Sequence, residues 1–132
     1  MKREITCIVC PKGCQMIVNN IDGQYIVEGN SCIRGAKYGV DEVTSPKRMI
    51  TSTVRLKGAY LNMLPVKTSA SVPKDLVFEI MNILSTIKIA APVKVGDIIV
   101  KNILDTGVDI VSTKTISNVC QGYENDELRK IL

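Results

Sequence analysis

The chain has 132 residues, 45% of them hydrophobic, with one Phe, four Tyr, no Trp and a formal net charge of +4. This length and apolar content support a packed core and exclude disorder as a description of the whole chain. The basic excess comes without a dense basic run or an aromatic stacking platform, so nucleic acid is not an expected partner. Histidine is absent, which removes Ser-His-Asp and Cys-His catalysis, two-histidine zinc fingers and haem on a proximal histidine.

The first segment reads as strand, knuckle, strand. Residues 4–8 are β-like, Cys7 to Cys14 form the turn, and residues 15–19 resume as a strand. The run Asn19-Asn20-Ile21-Asp22-Gly23 is turn chemistry leading to a third strand over 24–27. Ser31 is placed to cap a short helix that extends to about Val40, with Cys32 in its first turn. The run Thr44-Ser45-Pro46-Lys47 marks a boundary, giving a four-cysteine module over 1–45 and an α+β module over 46–132.

Beyond the boundary, Ile50, Ser52, Val54 and Leu56 alternate onto one face of a strand, and Lys57-Gly58 turns into a second strand over 60–66. A helix is predicted from Pro73 to Thr86, with Leu76, Ile80, Ile83 and Leu84 as its apolar stripe and Val77, Met81 and Ile87 widening it. Strands over 98–104 and 108–112 flank the turn Asp105-Thr106-Gly107, and residues 124–132 read as a closing helix starting at Asn125. The fold class expected is α+β, a small β-rich cysteine knuckle followed by a hairpin–helix–hairpin module. The most apolar stretch, Leu76 to Val100, is interrupted by Glu79, Lys88, Pro92, Lys94 and Asp97. No membrane span is expected from it. The charged N-terminus lacks the apolar run of a secretory leader, so a cytoplasmic location is expected.

The chemistry is concentrated in Cys7, Cys10, Cys14 and Cys32, spaced C-x2-C-x3-C-x17-C, with Pro11 and Gly13 supplying tight bends. Such clustering is wrong for a secreted disulfide scaffold and right for metal ligation in a reducing compartment. Three ligands from one loop and a distant fourth suit an iron–sulfur cubane. A structural zinc ion is the alternative, although zinc more often takes two ligands from each of two knuckles. Buried thiols or a disulfide pair are the plain reading, and a dithiol redox motif at Cys7 and Cys10 is disfavoured because Pro11 and Gly13 break the helix it needs. Arg34 and Lys37 follow Cys32 and could hold cations beside an anionic centre, or simply form a solvated helix face. Cys120 is isolated and reads as an ordinary thiol. No catalytic constellation is visible, so a carrier or accessory subunit is expected rather than an independent enzyme.

The run Cys7-x2-Cys10-Pro11-x-Gly13-Cys14, with Cys32-Ile33-Arg34-Gly35, resembles the N-terminal 4Fe-4S domain of molybdopterin oxidoreductases such as formate dehydrogenase. The resemblance covers about residues 5–48 and implies that Cys7, Cys10, Cys14 and Cys32 are cluster ligands, with Arg34 where that family usually carries a lysine. The gap before Cys32 is shorter than is usual there, and the pterin-binding domains are missing, so molybdenum chemistry does not carry over. Across its length the chain resembles an uncharacterised four-cysteine family of bacterial and archaeal proteins regarded as metal binders. The features shared are the cysteines and a later segment like Pro92-Val93-Lys94-Val95-Gly96-Asp97. That resemblance implies a flavin-dependent dehydrogenase as partner and an electron-relay role.

Overall fold

In the computed structural model, which describes residues 1–118, the chain is α+β and divides into two units, Met1–Arg48 and Met49–Leu132. Cys120 and the closing helix expected over 124–132 lie outside the described residues.

The first unit is a three-stranded antiparallel meander, β1 (Lys2–Thr6), β2 (Gln15–Ile21) and β3 (Gln24–Glu28), followed by α1 (Ile33–Thr44). The first strand runs two residues earlier than expected, because its ladder to β2 ends at the pair Thr6–Gln15. Cys7 and Cys14 therefore leave the sheet together, just past the last rung. Asp22 and Gly23 both take positive φ in the tight turn between β2 and β3. α1 lies on β2 and β3 through Gly35 and Gly39, two buried positions one turn apart. A Cβ on Gly39 would stand 3.2 Å from Val18 and 3.3 Å from Val27, so the missing side chain at this position lets helix and sheet approach closely. Met16 and Val18 point from β2 into this small core, and Cys7 joins them.

The second unit is built on a five-stranded sheet. β4 (Thr51–Lys57) and β5 (Met63–Thr68) form an antiparallel hairpin, and α2 (Val77–Thr86) packs along β4, adding Ile80 and Leu84 to the core that holds Val54, Leu56, Leu64 and Val66. The chain then returns as β6 (Lys88–Ala90), which pairs parallel with β4, and continues through β7 (Ile98–Val100) and β8 (Ile110–Ser112), giving the order β6-β4-β5-β8-β7. Ile80 and Leu84 of α2 are fully buried in the core, while Leu76, Val77, Ile83 and Ile87 pack at its margin and Met81 stays exposed. Pro65 occupies a central strand at no cost to the ladder with β4. Leu56 N donates to Asn62 O and Thr68 N to Ile50 O, so the bonded rungs alternate and Thr53–Pro65 falls on an unbonded one.

Several expected boundaries move. The α2 helix starts at Val77, because Lys74–Leu76 wind more tightly as a 3-10 turn. The strand expected over 98–104 stops at Val100, since Asn102 and Leu104 take left-handed conformations held by hydrogen bonds, among them Asn102 N to Asp109 Oδ1 at 2.8 Å. The return strand correspondingly begins at Ile110. β6, a crossover strand of three residues, had no period-two pattern to announce it. Among the described residues no helix is long and apolar enough to cross a membrane.

Candidate metal centre

The ladder that ends at Thr6–Gln15 is strapped by a hydrogen bond from Thr6 Oγ1 to Gln15 Oε1 at 3.1 Å. One residue further out, Cys7 N donates to Cys14 O at 2.9 Å and closes the knuckle. Gly13 turns the loop with a φ of 63°, a conformation that favours glycine. Cys7 is buried, Cys10 and Cys14 are half-buried, Cys32 is exposed, and all four thiols are free.

The end of β3 delivers the chain to the second half of the site. Gly29 has φ +85°, and a Cβ there would run into the Gln15 carbonyl oxygen. The helix N-cap is Cys32 itself rather than Ser31, as its carbonyl accepts from Gly35 N at 3.1 Å and Ala36 N at 3.3 Å. Ser31 serves instead as a partner for the first cysteine loop: the Cys14 thiol donates to Ser31 Oγ at 3.2 Å. On the inner side of the helix, Cys7 Sγ lies 3.6 Å from the position of a Cβ on Gly35. Three of the four sulfurs thus meet, or belong to, the first turn of α1 and the two residues just before it.

Electrostatics at this turn favour negative sulfur. The pKa of Cys32 is lowered first by the Gly35 N–H and then by the Arg34 N–H, with the Arg34 side chain adding to the effect. The neutral thiol makes no capping hydrogen bond, so these donors act by stabilising the thiolate. The pKa of Cys14 is lowered chiefly by the Ser31 hydroxyl, then by the Ser31 backbone, with a smaller contribution from Lys12. Arg34 therefore stands against a cysteine. Lys37 is exposed and makes no ion pair among the described residues. In the sequence Ser31 reads only as a helix cap and Lys12 does not stand out; their signal at the site is position, one beside Cys32 and the other inside the knuckle.

As placed, no group of three or more His, Cys, Asp or Glu side chains among the described residues is disposed to hold a metal ion. The residues nevertheless fit a thiolate-bound centre in kind: four free thiols, two of them with lowered pKa, with Cys7, Cys14 and Cys32 meeting residues at the start of one helix and two cations beside them. Ligation has to draw the sulfurs together from these positions.

Fold and site define a two-unit α+β protein with four free thiols grouped by a knuckle and a helix start. The chain belongs to the family described as "Protein of unknown function (DUF1667)", which it matches over residues 33–114. The four cysteines precede the matched segment, so membership in the family rests on α1 and the second unit. The NMR structure of Clostridium perfringens protein CPE0013 is similar, with 32% sequence identity and a TM-score of 0.52 over 60% of this chain and 94% of that one. No curated protein matches the chain.

Proposed function

We propose that Cys7, Cys10, Cys14 and Cys32 bind a 4Fe-4S cluster and that the protein serves as an electron-transfer subunit or accessory protein of a flavin-dependent dehydrogenase. The observation that carries this reading is the grouping of Cys7, Cys14 and Cys32 around the first turn of α1, where N–H groups and Arg34 favour thiolate. Four thiols in a three-plus-one arrangement are a cubane donor set, and the spacing resembles that of the cluster domain of molybdopterin oxidoreductases. When bound, such a cluster supplies a one-electron relay.

The chain's own residues have distinct tasks in this scheme. Cys7 anchors the loop to the small core beside Met16, while the exposed Cys32 closes the site from the helix. The Arg34 and Gly35 N–H groups offset negative charge at Cys32, and Lys12 does so near Cys14. The flavoprotein partner is inferred from the resemblance, and the second unit is the surface we assign to docking with it. The test is anaerobic purification, reconstitution with iron and sulfide, and EPR of the reduced protein. A colourless protein without iron after reconstitution overturns the proposal.

One observation favours a second reading, a structural zinc ion in an interaction module without redox activity. Among the described residues, the buried hydrophobic side chains of the first unit are Cys7, Met16 and Val18. A unit of that size with so small a core usually needs a staple, and a tetrathiolate zinc site would provide one. One zinc per chain without visible absorbance would favour this reading over the first.

A further inference from the structure

The second unit carries a cationic groove at the edge of its sheet, remote in sequence from the cysteines. In the parallel pairing of β4 with β6, Arg55 stands opposite Lys88, Leu56 opposite Ile89 and Lys57 opposite Ala90. Paired residues share a face, as do alternate residues along one strand. Arg55, Lys57 and Lys88 therefore project from the same side, away from the buried Val54 and Leu56. All three are exposed, and none is in an ion pair among the described residues. Like charges set directly opposite one another weaken a ladder, so this arrangement opposes folding unless something relieves it. Edge strands do carry lysines that discourage aggregation, and Lys88 alone would serve that purpose. A guard residue does not need an arginine facing it across the rung.

These cations border a concavity. A hollow of about 310 Å³ is lined by Arg55, Leu56, Lys57, Asn62, Met63 and Lys88. An adjoining one of about 240 Å³ shares Arg55 and Met63 and continues over Thr53, Met81 and Ser85. Positive charge and polar side chains thus occur beside thioether surface, and the larger hollow stands at the lower end of the size range of a small-ligand site. We propose that this groove binds a small molecule bearing a phosphate-type dianion and an apolar portion. Arg55, Lys57 and Lys88 take the oxyanion, with Asn62 also lining the hollow, and Met63 and Met81 contact the apolar portion.

The test uses the full chain and follows backbone amide resonances during titration with phenyl phosphate and, separately, inorganic phosphate, at constant ionic strength. Saturable shifts centred on Arg55, Lys57, Asn62 and Lys88 are expected, with phenyl phosphate binding more tightly than inorganic phosphate. Arg55→Gln and Lys88→Gln should each weaken binding roughly tenfold, as for one lost charge-assisted hydrogen bond. Lys101→Gln, beyond β7 at the opposite edge of the sheet, should leave binding unchanged. A second readout separates a binding site from a solvated face: each of the two groove variants should melt higher than the parent in the absence of ligand, because the opposed charges are gone. The dianion site is overturned if no saturable shifts occur, or if Lys101→Gln weakens binding as much as Arg55→Gln. Equal affinity for the two probes overturns the apolar contact. Either groove variant suffices should the other fail to fold, and none of these outcomes depends on metal in the first unit.

Discussion

The Sγ of Cys7 and the bare Cα of Gly35 face each other across the interface of knuckle and helix, with 3.6 Å between the sulfur and the place a Cβ would take. Asn30 Cβ at 3.4 Å and Met16 Sδ at 3.5 Å complete that boundary, all at ordinary contact distance. A methyl group therefore fits at position 35, and alanine favours a helix over glycine by about 0.8–1 kcal/mol. Gly35→Ala is expected to raise the melting temperature of the metal-free protein. Gly39→Ala should melt lower than Gly35→Ala, because its methyl crowds Val18 at 3.2 Å and Val27 at 3.3 Å. Thermal melts by circular dichroism check the order.

Gly29 permits no such exchange. Its φ of +85° already disfavours a side chain, and a Cβ would strike the Gln15 carbonyl oxygen at the start of β2. Gly29→Ala should destabilise the first unit by roughly 2 kcal/mol or more, among the larger single-site effects. Denaturant titration followed by amide resonances of β2 and β3 would read it.

The thiols should also titrate apart from free cysteine. The Cys32 pKa is lowered on folding by the N–H groups of Gly35 and Arg34. Its thiolate contacts therefore stabilise the fold above the unfolded thiol pKa, and that contribution is lost as pH falls through the lowered folded value. In metal-free protein, alkylation of Cys32 should rise with pH at a midpoint below that of a free thiol, and Arg34→Gln should move it upward. The buried Cys7 should react last. Mass spectrometry of iodoacetamide-treated protein over a pH series measures both effects.

In the second unit, Thr68 is buried, and its Oγ1 accepts from Ile50 N at 3.0 Å. Thr68→Val keeps the shape but removes that acceptor, which should cost about 1–3 kcal/mol. Thr68→Ser retains the oxygen and should lose less. Equal losses in the two variants would mean that the hydrogen bond contributes nothing.

The sequence revealed this molecule unevenly, for physical reasons. Alternation at Val54 and Leu56 and the helical spacing of Ile80 and Leu84 are legible because burial on one face imposes a period. β6 was not legible, since a three-residue strand is too short to show one. The bend after Val100 was missed because it depends on Asn102 and Asp109, seven residues apart, meeting through one hydrogen bond. At the site, the spacing singled out the four cysteines as candidates, and Arg34 followed from its closeness to Cys32. The roles of Ser31 and Gly35 depend on how the helix meets the knuckle, and local sequence does not encode that meeting.

The central claim is that Cys7, Cys10, Cys14 and Cys32 share one iron–sulfur centre. Its most direct test is quantitation of iron, acid-labile sulfide and zinc in protein isolated without oxygen, alongside Cys32→Ser treated identically. The expected result is about four iron and four sulfide per parent chain, with both strongly reduced in the variant. A well-folded parent chain carrying neither iron nor sulfide, or iron content unchanged by Cys32→Ser, would contradict it.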